Sequence, residues 1–127
     1  VRHTLDFIVH RGPYAVCQMP AHEPAPEWAM RGAFWSVSRT PAELSVICEE
    51  RHVPDGVRSQ RGWACIQLAG KFPFETAGVL AAVVEPLAEA GVPVFAMSTY
   101  DTDWVLAPGE KLEEAVRALK AAGHNEI

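Results

Sequence analysis

Residues 92–107 constrain the fold more than any other stretch. A near-continuous apolar run, Val92-Pro93-Val94-Phe95-Ala96-Met97, gives way to Ser98-Thr99-Tyr100-Asp101-Thr102-Asp103 and then to a second apolar run, Trp104-Val105-Leu106-Ala107. Short runs rich in β-branched and aromatic residues read as strands and the polar interval as a turn, so the segment predicts a hairpin whose first strand is buried. Helical patterns flank it. Val79, Leu80, Val83, Val84 and Leu87 recur at helical spacing over 76–90, with Thr76 as the N-cap and Gly91 as the stop. Leu112, Ala115, Val116 and Leu119 mark one face of a second helix that closes at Gly123. Pro86 lacks a backbone donor and predicts a kink or an early end to the first helix. With a strand over 63–68, the order is β-α-β-β-α, one strand short of the ferredoxin-like pattern; residues 5–9 or 124–127 can supply it.

The N-terminal half is punctuated by Pro13, Pro20, Pro24, Pro26, Pro41 and Pro54, and shows no long helical period. Strands are expected at 14–19, 34–38 and 44–48, with a short helix over 26–30. Sliding the chain against itself by 60 places lays Trp35-Ser36-Val37-Ser38 over Phe95-Ala96-Met97-Ser98 and Glu43-Leu44 over Asp103-Trp104, without a gap. The polar segment 53–62 then reads as a linker. The expected organisation is two α+β units, 1–60 and 61–127, with antiparallel sheets.

At 127 residues, with 49% hydrophobic and 21% charged residues, the chain has apolar material for a core of its own. A net charge of -5 opposes binding to nucleic-acid phosphates or anionic membrane surfaces. No apolar run reaches the roughly 18 residues of a spanning helix, and the start Val1-Arg2-His3 lacks the apolar core of a signal peptide, so a cytoplasmic protein is expected. Cys17, Cys48 and Cys65 lie inside apolar runs without C-x-x-C spacing, which predicts buried reduced thiols. His3, His10, His22, His52 and His124 are scattered without metal-ligand spacing, so neither metal nor cofactor is expected.

The polar corner at 98–103 and the helix start at 75–79 carry what chemistry the chain offers. Asp, Ser and Thr satisfy turn backbones as readily as ligands, so composition alone does not separate the two roles. A helix start presents free N–H groups and a positive dipole end, and Gly78 allows close approach, although helix-on-sheet packing also uses such a glycine. An amino acid could set its carboxylate on the amides near Ala77 and Gly78 and its ammonium near Asp101 or Asp103. G-x-S-x-G, P-loop, G-x-G-x-x-G and H-E-x-x-H motifs are all missing, which argues against an enzyme.

The run Phe95 to Leu106, preceded by Gly78-Val79-Leu80 and by Glu85-Pro86-Leu87-Ala88-Glu89-Ala90-Gly91, closely resembles small bacterial tandem ACT-domain proteins. The same signature occurs in the cytosolic arginine sensors of animals, and Ser36 to Ser45 resembles the matching N-terminal segment of the bacterial family. The resemblance implies two ferredoxin-like ACT units, the N-terminal one degenerate, that bind a small molecule such as an amino acid and regulate without catalysing. By resemblance, the ligand pocket is lined by Thr76, Ala77, Gly78 and Val79 together with Ser98, Thr99, Tyr100, Asp101, Thr102 and Asp103. Asp103 is the matching acid at the end of the turn. Where the sensors carry a further acid at the helix start, this chain has Thr76, with Glu75 one place earlier. The sensors use four ACT units and this chain supplies two, which implies a homodimer or larger assembly. The reading from a different class is a ligand-free interaction module that docks a partner protein.

Overall fold

The computed structural model describes residues 3–127, which divide into two compact units: residues 3–11 with Ala64–Ile127, and Gly12–Trp63. Two long strands, β1 (Asp6–Met19) and β4 (Arg58–Leu68), contribute residues to both.

In the first unit β4 is followed by helix α1 (Val79–Glu89), the hairpin β5 (Phe95–Ser98) and β6 (Asp103–Pro108), helix α2 (Leu112–Ala121) and the short strand β7 (Asn125–Glu126). Its strands lie in the order β7-β1-β4-β6-β5. Both candidate segments thus serve the strand that the β-α-β-β-α order lacks. Residues of β1 neighbour β4, and β7 pairs with β1 in parallel, Asp6 opposite Asn125 and Phe7 opposite Glu126. The helices bury Val79, Val83 and Leu87 from α1 and Leu112, Ala115 and Leu119 from α2. All but Leu112 belong to the core cluster that contains Leu5, Phe7, Ile66, Leu68 and Val105. Each fully buried Leu, Val or Phe contributes about 1.5–3 kcal/mol, so the N-terminal Leu5 and Phe7 are integral to a core otherwise built from the chain's second half.

Both helices stop as their glycines predict. Gly91 and Gly123 take φ of 75° and 97°, a left-handed conformation that costs glycine little. The amides of Gly91 and Val92 then bond the carbonyls of Ala88 and Leu87, and those of Gly123 and His124 bond Lys120 and Leu119. These are Schellman closures, which satisfy carbonyls that a bare helix end leaves open.

Four expectations are corrected. The first strand of the hairpin is not buried: β5 lies at the end of the strand order, and Ala96 and Ser98 are exposed. The segment 53–62 is not all linker, because β4 starts at Arg58 and its first half consists of polar residues that read locally as loop. Thr76 is not the N-cap; that position is Gly78, with φ of 86° and no side-chain cap, and the helix starts at Val79. Pro86 neither breaks nor shortens α1 beyond Glu89. The carbonyl it leaves without its helical donor, that of Ala82 four residues back, is instead met by His124 Nε2 at 2.7 Å. His124 Nδ1 accepts from the Leu5 N–H at 3.1 Å. The neutral imidazole with its proton on Nε2 satisfies both partners, which accounts for a histidine only 4% exposed.

The second unit holds the rest of β1, the hairpin β2 (Ser36–Arg39) and β3 (Leu44–Glu49), and 3-10 turns at Glu27–Ala29 and Glu50–His52. β1 and β3 are antiparallel, Tyr14 opposite Glu49 through Met19 opposite Leu44. Ala15, Cys17, Ala29, Val46, Cys48 and Val53 form its core. Cys17, Cys48 and, in the first unit, Cys65 are free thiols and all buried.

Candidate functional site

Hydrogen bonds shape the corner between β5 and β6. Ser98 and Asp103 are directly opposed at the end of the hairpin, and the Ser98 hydroxyl donates to Asp103 Oδ1, fixing the carboxylate at the turn's mouth. The Thr99 amide donates to the Thr102 carbonyl at 2.8 Å, closing the turn over Tyr100 and Asp101. Thr102 Oγ1 reaches across to the Leu68 carbonyl at 2.9 Å, anchoring the corner to the end of β4. The loop after β4 is held in return, because the Phe72 amide donates to the Asp101 carbonyl at 2.8 Å. Phe74 and Tyr100 meet edge to face, ring centroids 4.8 Å apart, although both side chains are largely exposed.

Between this corner and the start of α1 lies an open cavity of about 330 Å³. Nine of the ten residues expected at the site line it: Thr76, Gly78, Val79, Ser98, Thr99, Tyr100, Asp101, Thr102 and Asp103. Ala77 does not; its carbonyl bonds His3 Nε2 at 2.8 Å. Phe72, Pro73, Phe74, Leu80 and Ala81 also line the cavity and were not foreseen. Their signal was weak, since the loop over 70–75 reads only as a strand break. Among the described residues the lining holds two carboxylates and no basic side chain, while the first-turn amides of α1 have no acceptor within their own helix. The cavity can therefore offer acceptors on one side and backbone donors with a positive dipole end on the other. Glu75, the acid one place before Thr76, lies outside this lining and borders a neighbouring depression with Lys71.

The hairpin corner of the second unit has the same turn closure. The Thr40 amide donates to the Glu43 carbonyl at 2.9 Å, and the Glu43 amide reaches Thr40 Oγ1, as Thr102 does Thr99 Oγ1. In hydrogen bonding and strand register the two turns correspond at an offset of 59 residues, one fewer than the ungapped self-match, so Leu44 rather than Glu43 stands where Asp103 does. Leu44 is fully buried, and Arg39, in the place of Ser98, donates to the carbonyls of Ala21 and Glu23. That corner holds no acid comparable to Asp103.

A sheet backed by two helices, with a polar cavity where a helix start meets a hairpin corner, is the α+β architecture of a ferredoxin-like unit. The family is specific: the ACT-domain model matches residues 58–121, and the chain belongs to the ACT-domain family. A further family model, for an N-terminal domain, matches residues 12–56. Among solved structures the chain is similar to protein Atu0741 from Agrobacterium tumefaciens, with 34% identity and a TM-score of 0.93 over 98% of this chain and 93% of that one. Protein VC0802 from Vibrio cholerae is 21% identical with a TM-score of 0.76, over 94% of this chain and 91% of that one. The ligand-free regulatory subunit of aspartate kinase from Thermus thermophilus shares the fold at 14% identity, TM-score 0.68, over 91% and 95%. ACT domains are generally small-molecule-binding regulatory modules, and the aspartate kinase match is to a regulatory subunit. No helix among the described residues is long and apolar enough to cross a membrane.

Proposed function

We propose that the protein is a cytoplasmic tandem ACT regulator, related to the arginine-sensor type, that binds an amino acid in the cavity between the start of α1 and the corner at 98–103. The observation that carries this reading is the polarity of the lining: Asp103 and Asp101 on one side, the amides of the first turn of α1 on the other. A zwitterion complements both, its ammonium on Asp103 and its carboxylate on the amides. Because α1 is capped at Gly78 and starts at Val79, the amide seat is the turn that begins at Gly78. The two ACT units of this reading divide near residue 60, as 1–60 and 61–127, except that residues 3–11 pack with the C-terminal unit; the shared turn closure at Thr40 and Thr99 supports the pairing. The N-terminal unit is degenerate and does not bind, since Leu44 stands in place of the acid. The unit of action is a homodimer or larger, and occupancy alters its association or that of a regulated partner.

A thermal-shift series with each of the twenty L-amino acids tests the reading. A ligand present at a hundred times its Kd stabilises the folded state by about 2.7 kcal/mol, a rise of several degrees in a domain of this size. A flat response to all twenty would sink it. The exposed Phe74–Tyr100 pair at the rim would then favour the interaction module, with the aromatic edge as its contact.

A further inference from the structure

We infer that His3 is a positioning residue of this cavity, holding the peptide between Ala77 and Gly78 so that its N–H is turned toward the ligand; the inference rests on the amino-acid reading above. His3 Nε2 bonds the Ala77 carbonyl at 2.8 Å, a contact across 74 residues of sequence. Gly12–Pro13 is the sole cis peptide among the described residues, so the Ala77–Gly78 peptide is trans and planar. In such a peptide the C=O and the following N–H point in opposite directions. His3 borders a groove of about 650 Å³ between α1 and α2 and is absent from the lining of the ligand cavity, whereas Gly78 borders both. A carbonyl pulled to the groove side by His3 therefore leaves the Gly78 N–H directed to the cavity side.

The local geometry needs this support. Gly78 has φ of 86° and, lacking a side chain, makes no cap of its own to hold the preceding peptide. The His3 ring also covers Gly78: a Cβ built there would lie 3.6 Å from two ring atoms, ordinary packing distance. The imidazole thus acts on backbone donors from outside the cavity, and residue types within the pocket alone do not reveal it.

The full chain carrying His3→Ala and His3→Gln tests the inference, glutamine retaining an N–H donor at similar reach. The Ala82 amide makes the first bond of α1, to the Gly78 carbonyl, and its hydrogen exchange should be at least fivefold faster in His3→Ala and restored in His3→Gln, with β6 amides unchanged. The twenty L-amino acids, titrated individually, should show about five- to tenfold weaker binding to His3→Ala, recovered in His3→Gln. Unchanged exchange at Ala82, or binding that His3→Ala leaves intact, overturns the inference. Should none of the twenty bind even the unsubstituted protein, the amino-acid reading fails, and exchange alone decides whether His3 holds the peptide.

Discussion

Replacing His124 by Phe keeps a ring in its place and removes both of its hydrogen bonds at once. The Leu5 N–H is left without its partner beneath a core residue only 5% exposed, and the Ala82 carbonyl loses the donor that stands in for the proline. An orphaned buried backbone group costs about 1–3 kcal/mol. Leu5 belongs near the middle of that range; the Ala82 bond, only partly buried, belongs near its lower end because water can reach the carbonyl from the groove. The expected loss is about 3 kcal/mol. The diagnostic comparison repeats the substitution in a Pro86→Ala background, where residue 86 regains an N–H for the Ala82 carbonyl. His124→Phe should then cost about 1 kcal/mol less, a coupling that urea unfolding of all four proteins would resolve as a double-mutant cycle. Equal costs in the two backgrounds would refute the idea that His124 substitutes for the missing helical donor.

Asp103→Asn preserves size and turn geometry while removing the charge, and should weaken amino-acid binding by roughly 2–5 kcal/mol with little change in stability; calorimetric titration beside a melting curve separates the two. Burial pushes the Cys65 thiol from 9.0 up to about 12. Between about pH 9 and 12 the unfolded chain therefore releases a proton that the folded one keeps, and stability should fall with rising pH across that window and less steeply in Cys65→Ala. A fragment beginning at residue 58, as the ACT match would suggest, lacks Leu5 and Phe7 and should show lost near-UV dichroism and fast amide exchange, whereas a chain joining residues 3–11 to 64–127 should restore both.

Local chemistry made much of the first unit legible. The hairpin, both helices and their glycine stops follow from apolar spacing and from residues that tolerate positive φ, and nine residues expected around one cavity do line it. What escaped reading is non-local. Residues 5–9 and 124–127 each read as the strand completing the sheet, but as alternatives; that the two pair with each other, Asp6 opposite Asn125 and Phe7 opposite Glu126, is recorded in neither segment. Pro13, within β1, and the polar start of β4 disguise two long strands as loop. His3 and His124 looked like scattered histidines because each acts on a backbone carbonyl distant in sequence. The one local clue was Pro86, which obliges any helix that passes through it to find another donor for Ala82. The self-match located the second corner but missed by one residue, and that single place exchanges an acid for a buried leucine.

The parallel pairing of β1 with β7 also sets how the first unit would carry a load. The Asn125 amide bonds the Leu5 carbonyl and the Ile127 amide bonds the Phe7 carbonyl, both at 2.9 Å. Tension drawing the start of β1 and the end of β7 apart runs along these strands in opposite senses, so it shears the two bonds together instead of unzipping them singly. Force arriving at the C-terminal end would meet this clamp before it reached α1, whereas force arriving at the N-terminal end would first load the His3 bond to the Ala77 carbonyl at the start of α1.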